Sequence, residues 1–119
     1  MSDTVHWLLA LNIKEGELDN FRALVTEMVD ATKANEPGTL NYEWFVSDDE
    51  KTCHIYERYV DSAATMAHLA TFGRDFAERF MAALEPVQLV VYGNPNDEVR
   101  AALAGLGAVH MSQIAGFAR

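Results

Sequence analysis

Apolar residues recur along this chain at two periods, and the changes of period mark its elements. Val5, Trp7, Leu9, Leu11 and Ile13 alternate with His6, Leu8, Ala10 and Asn12, which predicts a central strand largely buried on both faces. After Lys14-Glu15-Gly16 the spacing lengthens, and Leu18, Phe21, Val25, Met28, Val29 and Thr32 share one side of a helix ending near Asn35. Pro37 and Gly38 stop it. Leu40, Tyr42, Trp44 and Val46 alternate again, Ser47 to Lys51 is a polar loop, and Cys53 to Tyr59 alternates once more, so this stretch predicts a hairpin with a bulky aromatic face. Asp61 and Ser62 are good N-cap residues for a helix carrying Met66, His68 and Leu69. Gly73 marks a break, Phe76, Phe80 and Leu84 continue at helical spacing, and Glu85-Pro86 ends the helix. Val87 to Tyr92 reads as the fourth strand.

The order βαββαβ is that of a ferredoxin-like α+β fold, with helices over one face of an antiparallel sheet. The other face is then bare and, with apolar residues on both sides of several strands, predicts a homodimer formed sheet to sheet. All 119 residues read as one domain, with a core over about 5–92 and a C-terminal extension over about 93–119. In that extension Asp97 to Leu106 predicts a short helix, and Val109, Met111 and Ile114 a fifth strand added to a sheet edge, here expected to be the partner's.

Composition narrows the class. Half of the residues are hydrophobic and 23% charged, as in an ordinary globular protein, and 18 acidic against 9 basic side chains give a formal charge of -9. Such a balance repels phosphate backbones and anionic lipid, so neither nucleic acid nor membrane is expected as a partner. The single cysteine, Cys53, permits no internal disulfide and fits a reducing compartment. Asp3 stands where a signal peptide would want positive charge, and the apolar run Trp7 to Leu11 is too short to span a membrane. A cytoplasmic protein is expected.

Nucleotide and metal signatures are missing: there is no GxGxxG, Walker glycine loop, HExxH or CxxC. His6, His54, His68 and His110 stand singly on different elements, so no metal cluster is expected. His68 shares a helix stripe with Thr65 and Phe72. It reads either as a half-buried histidine satisfied by a neighbour or as a general base in an apolar cleft. Glu57 and Tyr59 share a strand face with Cys53 and Ile55. If Ser47 pairs with Thr52, Tyr42 faces Glu57 and Trp44 faces Ile55. Glu57 is then either a buried carboxylate bonded to Tyr42, an arginine or a backbone amide, or a group that orients a histidine or binds a substrate hydroxyl. Tyr59 reads as core or as a donor to a developing oxyanion. Trp7 and Trp44, with Met66, Phe72, Phe76 and Phe80, read first as core and only second as walls of a pocket. Asn12, Asn41 and Arg58 could supply hydrogen bonds to a ligand.

Four short words carry a further signal: Glu36-Pro37-Gly38, Leu40-Asn41-Tyr42-Glu43, Glu57-Arg58-Tyr59 and Ala67-His68-Leu69. Together they resemble the antibiotic biosynthesis monooxygenase family, although Tyr59 stands at a position usually held by Trp. The resemblance implies a dimeric α+β barrel that oxidises a quinol or polyketide-type hydroxyaromatic with molecular oxygen and no cofactor. In that scheme His68 is the base, Tyr59 a hydrogen-bond donor and Glu57 an orienting group, while Trp7, Tyr42, Trp44, Phe72 and Asn41 bind substrate. Two alternatives keep the same fold, a non-catalytic binding or assembly dimer and a cofactor-free isomerase or cyclase. Haem binding is disfavoured, since Phe80 and Met81 stand where that branch of the superfamily places its histidine ligand.

Overall fold

Strand β1 (Val5–Ile13) lies at the centre of a five-stranded sheet, with Val5, Trp7 and Leu11 buried on the helix side and Leu8 and Ala10 half-buried on the other face. The computed structural model describes residues 2–119. After β1 come α1 (Leu18–Asn35), the hairpin β2 (Thr39–Val46) and β3 (Thr52–Tyr59), α2 (Ser62–Thr71), a π-helical turn (Phe72–Phe76), α3 (Ala77–Ala83) and β4 (Leu84–Gly93). The chain ends in α4 (Asp97–Ala104) and β5 (Val109–Met111). The sheet order is β2-β3-β1-β4-β5, with β1 antiparallel to both β3 and β4. This is the ferredoxin-like α+β fold expected from the order of elements.

The hairpin has the register on which the aromatic face depends. The Ser47 amide donates to the Thr52 carbonyl at 2.9 Å, and Tyr42 stands opposite Glu57 and Trp44 opposite Ile55. Cys53, Ile55, Glu57 and Tyr59 are buried under the helices, whereas His54, Tyr56 and Arg58 between them are not. On that opposite face His6 stacks on Tyr92 with ring centres 5.3 Å apart. Phe45, also on it, is 54% exposed.

Three expectations are corrected. The buried stripe of α1 includes Leu24 with Phe21, Met28 and Thr32, while Val25 and Val29 flank it. Strand β4 begins at Leu84, earlier than Val87, and runs through Pro86. Proline is tolerated there because the pairing with β1 shifts at Ala10/Leu11, and at such a bulge a missing N–H leaves little of the ladder unmade. Finally, β5 is only three residues long and lies parallel to β4 of its own chain, Val90 opposite Val109. Val99 and Leu103 of α4 are buried in a cluster with Val5, Trp7, Tyr59 and Leu89, and this anchor delivers the following chain to the β4 edge. Ile114 lies beyond the strand.

Candidate active site

A cavity of about 140 Å³ opens between the helices and the buried sheet face. That is room for a small aromatic ring. Trp7 and Leu9 of β1, Tyr42 of β2, and Ile55 and Glu57 of β3 form its sheet side, and His68 and Phe72 its helix side. Exposed Met81, Val87 and Leu106 edge it, so the C-terminal extension contributes to its rim. Val87 falls within the β4 irregularity, a feature that commonly re-aims side chains beside sites.

Local helix chemistry shapes the wall. In a regular α-helix Phe72 and Phe80 would point well apart, because eight residues overshoot two turns. The π-helical turn at Phe72–Phe76 takes up one extra residue, so the pair meets edge to face at 5.0 Å. Tyr42 and Trp44 meet likewise at 5.8 Å, and Trp44 reaches Phe80 at 6.3 Å. Trp44 supports the wall from behind.

One polar array interrupts this apolar lining. The N-cap Asp61 accepts from the Ala64 amide at 2.8 Å and starts α2 so that His68, two turns on, faces the sheet. His68 Nδ1 lies 2.8 Å from Glu36 Oε1, and Nε2 lies 3.2 Å from Glu57 Oε1. The same Glu57 oxygen accepts the Tyr59 hydroxyl proton. All four side chains are almost wholly removed from solvent. Burial works against charge on His68, yet the hydrogen bond and charge of Glu57, followed by those of Glu36, raise it above the ordinary imidazole value. Burial and then the Glu57 charge push Tyr59 and Tyr42 well above the usual phenol range, so both are neutral hydroxyls.

A raised His68 makes stability depend on pH in a definite direction. The folded state holds the proton more tightly than the unfolded chain, so this contribution is complete below the ordinary imidazole value of about 6.5 and is lost as pH rises through the folded value. Thermal midpoints measured across the neutral and mildly alkaline range should fall for the native protein, and His68→Gln should flatten that slope. An equal slope in both proteins would place the titration elsewhere.

Glu36 was not among the candidates read from the sequence, although it opens the Glu-Pro-Gly word. It ends a helix beside a proline, where an acidic residue is ordinarily solvated. The fold buries it because the turn is pressed onto α2: a Cβ on Gly38 would come within 2.6 Å of the Ala64 Cβ. Gly38→Ala should therefore displace the turn from α2, cost about 1–3 kcal/mol in urea unfolding, and loosen the Glu36 contact with His68. Unchanged stability would show that the turn has slack.

The other candidates separate cleanly. His68, Glu57, Trp7, Tyr42 and Phe72 line the cavity. Tyr59 is fully buried behind it with its hydroxyl committed to Glu57, so it positions that carboxylate and does not face a ligand. Asn41 lies opposite Arg58 on the other side of the sheet, where its amide donates to Glu43 at 3.0 Å. Among the described residues no three His, Cys, Asp or Glu side chains group as metal ligands, and no helix is long and apolar enough to cross a membrane.

Fold and site thus define a small ferredoxin-like α+β protein with an aromatic-walled cavity and a buried acid–base array. The family model for antibiotic biosynthesis monooxygenases matches residues 4–86, and the chain belongs to that family. The match stops within β4, leaving α4 and β5 outside. No curated protein sequence gives a significant match. Among solved structures, MupZ from Pseudomonas fluorescens is similar with a TM-score of 0.85 and 24% identity, covering 99% of this chain and 96% of that one. SnoaB, a cofactor-independent oxygenase from Streptomyces nogalater, has a TM-score of 0.66 and 16% identity over 80% of this chain and 96% of its own. Rv0793 from Mycobacterium tuberculosis gives 0.60 and 22% over 79% and 97%. At these identities the likeness speaks for the fold.

Proposed function

We propose that this protein is a cofactor-independent monooxygenase that oxidises a hydroxylated aromatic, a quinol or polyketide-type hydroxyarene, with molecular oxygen. The observation that carries the reading is the Glu57–His68 pair set in an aromatic-walled cavity that shields it from water. The phenolic proton passes to the pair, leaving an electron-rich anion beside the protonated imidazole, which offsets its charge. That anion supplies the electrons to dioxygen: the substrate gives up two hydrogens and four electrons in all, gains one oxygen atom and becomes a quinone, and the other oxygen atom leaves as water with those two hydrogens. Trp7, Tyr42 and Phe72 hold the ring, Trp44 backs them, and Tyr59 and Glu36 hold the pair in place. Family membership and the description of SnoaB as a cofactor-independent oxygenase support this reading.

A homodimer through the uncovered sheet face completes the proposal, since Phe45, Val109 and Met111 stand exposed there. A monomer mass in sedimentation equilibrium at micromolar concentration would remove it. One observation favours a second reading: an imidazole held by two carboxylates is equipped to give as well as take protons, which is what a cofactor-free isomerase or cyclase needs. Turnover of a hydroxyarene panel by metal-stripped protein, in air and under nitrogen, separates the two. Product only in air supports the oxygenase, and equal product under nitrogen replaces it with the isomerase.

A further inference from the structure

Three buried ionisable groups on the cavity fix the charge that a ligand meets. His68 Nδ1 is hydrogen-bonded to Glu36 at 2.8 Å, and Nε2 lies 3.2 Å from Glu57 Oε1 at ion-pair distance. A proton in each of these contacts puts two protons among the three groups. Those protons make either an imidazolium between two carboxylates or a neutral imidazole beside one carboxylic acid and one carboxylate. Both arrangements carry a single net negative charge. The neutral Tyr59 hydroxyl, donating to Glu57, leaves that count unchanged. Among the described residues no lysine or arginine pairs with Glu36 or Glu57, and none lines the cavity. The charge is therefore not compensated by a cation, and a second anion brought into this apolar space is repelled with little screening.

The hydrogen-bonding capacity is equally restricted. Glu57 Oε1 already meets both Tyr59 and His68, which leaves Oε2 as the oxygen open to a ligand. A carboxylate oxygen only accepts. One free acceptor suits one donor, and a hydroxyl group brings one. An incoming carboxylate sets acceptor against acceptor and charge against charge. The Tyr42 phenol, also on the lining, can donate or accept and so favours neither class.

We propose that the cavity takes a ligand that enters hydroxyl first and donates to Glu57 Oε2, and that the Glu36–His68–Glu57 array rejects a carboxylate in the same place. The inference rests on the cavity being the ligand site of the function proposed above, and narrows its substrate to neutral hydroxyarenes as opposed to hydroxyaryl acids. Glu36 sets the sign of the charge without touching the ligand. It is a positioning residue, and it supplies one of the two carboxylates.

The test is calorimetric titration of the full chain at neutral pH with naphthol and naphthoate, substituted at the same ring carbon. Naphthol should bind about tenfold or more tightly than naphthoate. Glu36→Gln keeps an acceptor for His68 Nδ1 and removes one charge; it should narrow the gap between naphthol and naphthoate by about tenfold. Naphthoate binding as tightly as naphthol to the native protein overturns the inference, and so does failure of naphthol to bind. The native comparison stands even if the variant does not fold. No arm of this experiment uses dioxygen. Selective naphthol binding without oxidation of any arene keeps the inference and removes the oxygenase, whereas oxidation of hydroxynaphthoate as readily as naphthol does the reverse.

Discussion

Replacing His68 by alanine should lower kcat on a hydroxyarene substrate by about 10²–10⁴-fold, the usual contribution of a positioned acid–base group. The loss should fall on kcat more than on KM, because the aromatic walls that hold the ring are untouched. Two further effects follow from the same removal. Glu36 and Glu57, which now meet opposite nitrogens of one imidazole, lose their shared partner and remain buried, so the variant should also unfold at lower urea concentration. His68→Gln, whose amide N–H can still donate to one of the carboxylates, should recover part of the stability and little of the turnover. Steady-state kinetics and urea unfolding on the two variants together separate a chemical role from a structural one. If kcat survives in both, His68 only joins α2 to the sheet.

Trp7→Ala should cost about 3–5 kcal/mol of stability, in the range for large aromatic truncations in a core. Trp7 is 3% exposed on the central strand, and its ring lies 5.1 Å from that of Tyr59. It belongs to the cluster that also buries Val5, Val91, Val99 and Leu103, so its loss undermines the seat of α4 as well as the cavity wall. The urea midpoint should drop with little change in slope, and the chain should bind naphthol more weakly. A loss under about 1 kcal/mol would mean that the wall collapses to fill the space.

The sequence made most of the fold legible because period changes coincide with turns. Alternation through Val5 to Ile13 on both faces marks a central strand, and that is where β1 lies. Asp61 caps α2 as its position before an apolar helix suggests. The β4 boundary was not legible, since Pro86 reads as a helix stop and nothing local reveals that it will sit at a bulge in β4 opposite Leu11. Nor was the placement of β5, which depends on Val99 and Leu103 docking against distant strands.

The site divides in the same way. Glu57 and Tyr59 could be put on one buried face by their two-residue spacing, whereas the pairing of Glu57 with Tyr42 was conditional on Ser47 meeting Thr52, as it does. Asn41 fell on the wrong side of the sheet for the cavity, as its odd spacing from Tyr42 indicates. Glu36 escaped because its burial is a tertiary effect. It is made by a glycine turn pressed against a helix from the next crossover, and no local pattern contains that contact.

Reaction of the metal-stripped protein with a neutral hydroxyarene under isotopically labelled dioxygen tests the oxygenase reading most directly. Mass spectrometry should find one labelled oxygen in the product, with the second label in water, and the yield should collapse in His68→Ala. A product that carries no label, or that forms equally well under nitrogen, would contradict an oxygenase and leave the cavity to proton-transfer chemistry alone.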